Sequence, residues 1–225
     1  MTTARYLKIV DVLNHRQPDL KVVTDSVLKG QNLSAIIRTC DAVGVMELHS
    51  VSDHAFFGAH TGTTVGAHKW VKTLLRKKIT EPLEDFKQAG YQIVAADVCP
   101  NSKDYREVDF TQPTALVLGA ELEGISDAAQ PYIDHSITIP MMGMVESFNV
   151  SVAGAIILSE ARRQREKAGL YDGCRLDSET YKKLLFEWMQ PVLAKYCQKH
   201  QLDYPELDNE GDVADPNWHQ QVMGS

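Results

Sequence analysis

Pro113-Thr114-Ala115-Leu116-Val117-Leu118-Gly119 is a five-residue strand-length run closed on one side by a proline and on the other by a glycine. It does not alternate polar with apolar residues, so both of its faces must be covered, as they are for a strand inside a parallel sheet. Residues 91 to 98 form a similar run upstream. Shorter ones lie at residues 20 to 24, 45 to 51 and 70 to 75, and Ile137-Thr138-Ile139 lies downstream. Between them the apolar spacing turns helical. Tyr6, Ile9, Val10 and Leu13 mark a helix over residues 3 to 16. Leu33, Ile36, Ile37 and Cys40 mark a second, stopped by Gly44, and residues 81 to 89 form a third, stopped by Gly90. A long helix is expected from about Phe148 to Lys167, ended by Gly169, with two more over residues 178 to 189 and from Pro191 to about His200. Residues 54 to 67, rich in Gly, His and Thr, are expected to be a loop. The order predicts an α/β fold, a parallel sheet with helices on both faces and short helical extensions at each end. Ligands of such sheets bind at the carboxyl ends of the strands, which points to the segments after Val51, Val94, Leu118 and Ile139.

A chain of 225 residues suits one domain with trimmings. No apolar run approaches the roughly 18 residues of a membrane span, and residues 1 to 16 lack the unbroken apolar core of a signal peptide, so the expected compartment is the cytoplasm, with no membrane partner. Cys40, Cys99, Cys174 and Cys197 show no metal spacing and suit reduced thiols; no metal is expected. The formal net charge of −7 argues against an RNA partner only until it is located. Asp203, Glu206, Asp208, Glu210, Asp212 and Asp215 lie in a tail without Lys or Arg, and leaving those six aside the first 202 residues carry −1. Basic residues cluster at Lys69 to Lys78 and Arg162 to Lys167, where they can neutralise phosphates or simply face solvent.

The common catalytic patterns are missing. Gly119-Ala120-Glu121-Leu122-Glu123-Gly124 lacks the Lys-Ser/Thr ending of a phosphate loop, no dinucleotide glycine fingerprint follows the first strand, and the serine-hydrolase and zinc-protease patterns are absent. None of the eight histidines has a catalytic partner in the sequence. Three other segments stand out: residues 32 to 44, Asn-Leu-Ser-Ala-Ile-Ile-Arg-Thr-Cys-Asp-Ala-Val-Gly; residues 116 to 126, Leu-Val-Leu-Gly-Ala-Glu-Leu-Glu-Gly-Ile-Ser; and residues 139 to 153, Ile-Pro-Met-Met-Gly-Met-Val-Glu-Ser-Phe-Asn-Val-Ser-Val-Ala.

In this order the three segments resemble the signature motifs of the SpoU/TrmH branch of the SPOUT methyltransferases. The resemblance divides the chain into an N-terminal helical extension (1–19), a SPOUT methyltransferase domain (20–168) and a C-terminal helical extension with an acidic tail (169–225). It implies a deep trefoil knot at the C-terminal part of the sheet, S-adenosylmethionine held there largely by backbone groups, and a homodimer. Carried over position by position, it implies cofactor contacts at Ala96, Gly119, Glu121, Ile139, Met144 and Phe148, and active-site roles for Asn32, Arg38, Glu121, Ser147 and Asn149.

Each of these residues also has a plain structural reading. Asn32, Ser147 and Asn149 can cap helices, and Glu121 can be a carboxylate favoured near a helix N-terminus. On a helical wheel Arg38 shares a polar face with Ser34 and Asp41 and can pair with Asp41. As a catalytic group, a guanidinium with a pKa above 12 is a poor proton acceptor, so Arg38 is expected to grip a phosphate and orient the ribose hydroxyl. Glu146 departs from the pattern, since the tRNA enzymes of the family usually carry glutamine there, and its carboxylate should repel phosphate unless turned away.

The motifs do not choose the RNA, but the flanks resemble members that methylate tRNA guanosine at the 2′-hydroxyl. About twenty residues precede the sheet, where ribosomal-RNA relatives often carry a separate domain. The implied target is the D-loop guanosine at tRNA position 18, with Arg5, Arg16, Arg162, Arg163 and Arg165 as RNA contacts; the last three also suit the carbonyl end of a helix dipole. An enzyme acting on ribosomal RNA is the first alternative and a non-catalytic RNA-binding module the second. A nicotinamide oxidoreductase is disfavoured by the missing glycine fingerprint.

Overall fold

The computed structural model describes residues 3–52, 66–120 and 124–218. In chain order its helices and strands are α1 (Thr3–Asn14), β1 (Leu20–Asp25), α2 (Gly30–Ala42), β2 (Glu47–Val51), β3 (Lys72–Arg76), α3 (Thr80–Gln88), β4 (Gln92–Ala96), β5 (Lys103–Asp104), β6 (Thr114–Leu118), β7 (His135–Thr138), α4 (Val150–Lys167), α5 (Ser178–Met189) and α6 (Pro191–His200). Two compact units divide the chain, one of Gln17–Asp172 and one of Met1–Arg16 with Gly173–Ser225. The two extensions, expected separately from the sequence, therefore share one unit.

The larger unit is built on a parallel seven-stranded sheet of order β3-β2-β1-β6-β4-β7-β5. The apolar run Thr114–Leu118 is β6. It lies between β1 and β4, fully buried along its length. Alternate residues of the central strands feed two cores, because successive side chains of a strand point to opposite faces. Val22, Val94, Leu116 and Leu118 join Leu33, Ile36 and Ile37 of α2 and Ile157, Leu158 and Ala161 of α4 on one face. Val23, Ile93, Ala95, Ala115 and Val117 join Leu83 and Phe86 of α3 on the other. Each such aliphatic side chain contributes about 1.5–3 kcal/mol on burial.

Close approach fixes two glycines. A Cβ on Gly154 of α4 would meet Leu118 Cδ1 at 2.9 Å, so this glycine lets α4 lie against the end of β6. A Cβ on Gly119 would stand 2.4 Å from the carbonyl carbon and oxygen of Gly124, backbone atoms that cannot yield as a side-chain tip can.

At the other end of the sheet Arg165, fully buried, ties α4 to the strand starts. Its guanidinium donates to Asp19 Oδ1 at 2.7 Å, Phe110 O at 2.8 Å, Gln17 Oε1 at 3.0 Å and Gln112 O at 3.0 Å. In the smaller unit α5 packs on both α1 and α6. Arg5 donates to Trp188 O at 2.8 Å, the buried Arg16 lies 5.2 Å above the Trp188 ring, and Phe186 stacks on Tyr204 at 4.5 Å.

Three local expectations need correction. The long helix starts at Val150, because Asn149 takes the cap position and leaves Phe148 in the loop. Asn32 does not cap α2; that position belongs to Lys29, and Asn32 sits in the first turn. The two-residue strand β5 was not anticipated. Of the expected loop over residues 54 to 67, all but the last two residues lie outside the described ones.

Candidate active site

Parallel pairing sets the carboxyl ends of β4, β6 and β7 side by side, with Ala96 opposite both Leu118 and Ile137. A cleft of about 420 Å³ opens at this edge, within the usual range for small-molecule sites. Its floor is made by Ala96-Asp97-Val98, Leu118-Gly119-Ala120 and Ile137-Thr138-Ile139, and its rim by Met141, Glu146, Ser147, Phe148 and the first turns of α4.

The loops at its edge are held by local bonds. Ala120 and Gly124 exchange both backbone hydrogen bonds at 3.0 Å, and Gly124 takes a left-handed φ of 68°. Asp25, buried at the end of β1, accepts from Ser126 N at 2.9 Å and so ties the chain after Gly124 to β1. After β4, Ser102 Oγ donates to Asp97 O at 2.6 Å and accepts from Cys99 N at 2.9 Å. The same hydroxyl holds the Cys99 thiol below its ordinary pKa.

Four of the expected cofactor contacts, Ala96, Gly119, Ile139 and Phe148, line the cleft. Met144 does not; its side chain is wholly exposed. Glu121 lies outside the described residues. Asp97, Thr138 and Glu146, not singled out as cofactor contacts, also line it. Position was the signal for Asp97 and Thr138, which lie just past the end of β4 and at the end of β7, whereas Glu146 lies four residues before α4. Glu146 is exposed as well as at the rim, so its carboxylate is hydrated and its repulsion of phosphate damped.

Asn149 joins the third motif to the first. Its Oδ1 accepts from Ser151 N at 2.9 Å and Ser151 Oγ at 2.6 Å, capping α4, and its Nδ2 donates to Asn32 Oδ1 at 3.2 Å. One amide thus fixes the start of α4 and the start of α2 to each other. Ser147, two residues before, faces the cleft and caps nothing among the described residues.

Arg38 is exposed nearly two turns beyond Asn32 on α2 and forms no hydrogen bond or ion pair among the described residues, with Asp41 included. Ser34, placed with it on a polar face from the wheel, is buried. Neither Arg38 nor Asn32 lines the cleft of its own chain.

Two of the five arginines expected to contact RNA are structural instead. Arg165 spends its donors on the core, and Arg16 is buried against Trp188. Both look like their exposed neighbours in the sequence; only tertiary burial tells them apart. Arg5 is exposed, Arg162 lies 3.8 Å from Glu166, and Arg163 holds Glu160 at 2.7 and 2.8 Å. Exposed pairs of this kind are weak enough to exchange for a phosphate.

Among the described histidines His49 is the most distinctive. It is buried with neither ring nitrogen hydrogen-bonded, packs edge-on to Phe86 at 5.0 Å, and is pushed down to a pKa of about 4 by burial and then by Arg76. It is a neutral core residue. No group of three or more His, Cys, Asp or Glu able to hold a metal ion occurs among the described residues.

Residues 19–159 match the SpoU rRNA Methylase family, and residues 163–216 match a second described as SpoU, rRNA methylase, C-terminal. The tRNA (guanosine(18)-2′-O)-methyltransferase of Escherichia coli K12 is 42% identical over 221 residues, 97% of this chain and 96% of its own. The crystal structure of an Aquifex aeolicus TrmH/SpoU tRNA modifying enzyme matches with a TM-score of 0.78 at 44% identity, covering 82% of this chain and 94% of that one. The SpoU methyltransferase AviRb of Streptomyces viridochromogenes, solved in complex with the cofactor AdoMet, matches with a TM-score of 0.61 at 27% identity, covering 68% of this chain and 62% of that one.

Proposed function

The chain belongs to the SpoU rRNA methylase family, and we propose on that premise that it transfers a methyl group from S-adenosylmethionine to the ribose 2′-hydroxyl of a guanosine in tRNA, the D-loop guanosine at position 18. The observation that carries the reading is the bond from Asn149 to Asn32, which sets the motif bordering the cleft against the helix that bears Arg38. The choice of tRNA is supported by similarity to the Escherichia coli enzyme through both flanks of the sheet, where an enzyme of another RNA class would be expected to differ.

The cleft suits S-adenosylmethionine. Leu118, Ile139, Phe148 and Ile157 offer apolar walls for an adenine ring, while Asp97 and Glu146 offer carboxylates to a molecule that carries positive charge. Ala96, Gly119, Ile139 and Phe148 would hold it, and the resemblance of the second motif adds Glu121 to them. When bound, the cofactor supplies a methyl group made electrophilic by the sulfonium. Arg38 holds a phosphate of the RNA bidentately and so orients the ribose hydroxyl for in-line attack; the hydroxyl proton is released to solvent water, because the guanidinium is already protonated. Asn149 and Asn32 hold the two helices in register, and Ser147 presents its hydroxyl to the cleft. Arg5, Arg162 and Arg163 remain as RNA contacts.

The proposal includes a trefoil knot at the strand ends that form the cleft, a methyltransferase domain over residues 20–168, and a cytoplasmic location. It also includes a homodimer. Met142, Met144, Val145, Phe148 and Val152, in the segment next to the cleft, are exposed between 41% and 100%, an apolar surface that a second copy would cover. The test of the activity is label transfer from S-adenosylmethionine to unmodified tRNA transcripts beside ribosomal RNA fragments. Label in tRNA supports it, and label confined to ribosomal RNA refutes it.

A further inference from the structure

In a chain of formal net charge −7, residues 54 to 80 contain five Lys or Arg, namely Lys69, Lys72, Arg76, Lys77 and Lys78, and no Asp or Glu. The structure strings these five along and around β3, the edge strand of the sheet. Lys69, Lys72, Lys77 and Lys78 are exposed. Lys72 is the only one of the five with an ion pair among the described residues, and that is a long one, 3.9 Å to a Glu47 already bound to Lys21 at 2.6 Å. Several surface cations elsewhere are matched: Lys8 with Asp11, Lys87 with Asp134, Arg106 with Asp104, Arg163 with Glu160. Arg76 is half-buried, and its Nε is withdrawn from water with no hydrogen-bond acceptor among the described residues. A guanidinium nitrogen withdrawn from water and left unpaired is costly unless a ligand supplies the acceptor.

Parallel pairing sets the carboxyl end of β3, with Arg76, Lys77 and Lys78, at the same end of the sheet as the cleft. Three strand spacings separate β3 from β6, about 14 Å at ~4.8 Å each. That is a reach of a few nucleotides for a chain of phosphates leaving the cleft. We propose that the β3 edge, through Lys69, Lys72, Arg76, Lys77 and Lys78, is a second RNA-backbone interface that grips phosphates of the substrate beyond the modified nucleotide. This rests on the reading of the chain as an RNA methyltransferase and adds where the RNA runs. Contacts of this kind give affinity and register without base specificity. Lysines on an edge strand also discourage edge-to-edge pairing, a role that needs no RNA.

The test uses the full-length protein, its Lys69→Gln/Lys77→Gln/Lys78→Gln variant and the corresponding triple Lys→Arg variant. Binding of a tRNA transcript is measured across a salt series, beside methyl-transfer kinetics. At roughly 0.7–0.9 in log–log slope per phosphate contact, the Gln variant should lose about 2 to 3 of the salt slope. Its KM for tRNA should rise about tenfold or more, with the KM for S-adenosylmethionine unmoved and the Arg variant close to the parent. A Gln variant with the parent's salt slope and tRNA KM overturns the interface, and one that instead self-associates assigns the lysines to edge protection. Failure of the parent to bind or methylate any tRNA is a separate result, visible before any variant is compared, and it would bring down the underlying reading as well.

Discussion

Arg38 stands in solvent on a helix whose opposite face fills the core, so its side chain can be removed with little effect on the fold. Arg38→Ala should lower kcat/KM for tRNA by about 10²-fold or more, as expected when a reacting group is no longer oriented, and leave folding stability within about 0.5 kcal/mol. Arg38→Lys should also be impaired, because an ammonium cannot make the bidentate contact. Turnover by the lysine variant equal to the parent's would contradict the role. Arg38 and Asn149 could be picked out as candidates in the sequence because each stands at a fixed place in a motif. The contact between Asn149 and Asn32 was not, since 117 residues separate them and only the fold brings α2 and α4 together. Arg16 and Arg165 mislead in the opposite direction, as residue type and helical position give no warning that a cation is buried.

At the scale of elements, α4 does two jobs at its two ends. Its N-terminus, capped by Asn149, borders the cleft, and its last turns are pinned by Arg165 to the starts of β1 and β6. Arg165→Ala strands Asp19 and several buried carbonyls and should cost about 3–5 kcal/mol, the range for breaking one side of a buried pair. The two neighbouring cations are the contrast: Arg162→Ala or Arg163→Ala should leave the urea midpoint where it is and act only on RNA affinity. Equal losses at all three positions would show that Arg165 has no special place. β6 and β4 could be read from composition because strands covered on both faces leave an unbroken apolar run. β5 could not, as two residues, Lys103 and Asp104, carry no pattern. β2 begins at Glu47, later than its apolar run, because Val45 bridges to Gln17 before the chain joins β1.

For the whole molecule the distribution of charge matters more than its sum. The acidic residues concentrate in the tail beyond residue 202, while the sheet edge at β3 and the exposed arginines stay positive. Five exposed apolar residues, Met142, Met144, Val145, Phe148 and Val152, likewise fall within one short segment next to the cleft, and this supports the proposed second copy there. Sedimentation at micromolar concentration should give the mass of a dimer, and Phe148→Asp should shift it toward the monomer; a parent that sediments as a monomer rules the pairing out. Fold class and the cleft's strand ends followed from pattern alone, whereas sheet order required the structure, because β6 enters between β1 and β4 by tertiary choice. The central claim is transfer to one ribose hydroxyl. Its most direct test compares label transferred from S-adenosylmethionine to a tRNA transcript and to the same transcript with 2′-deoxyguanosine at D-loop position 18. The account predicts label in the first and none in the second; equal label in both, or none in either, would contradict it.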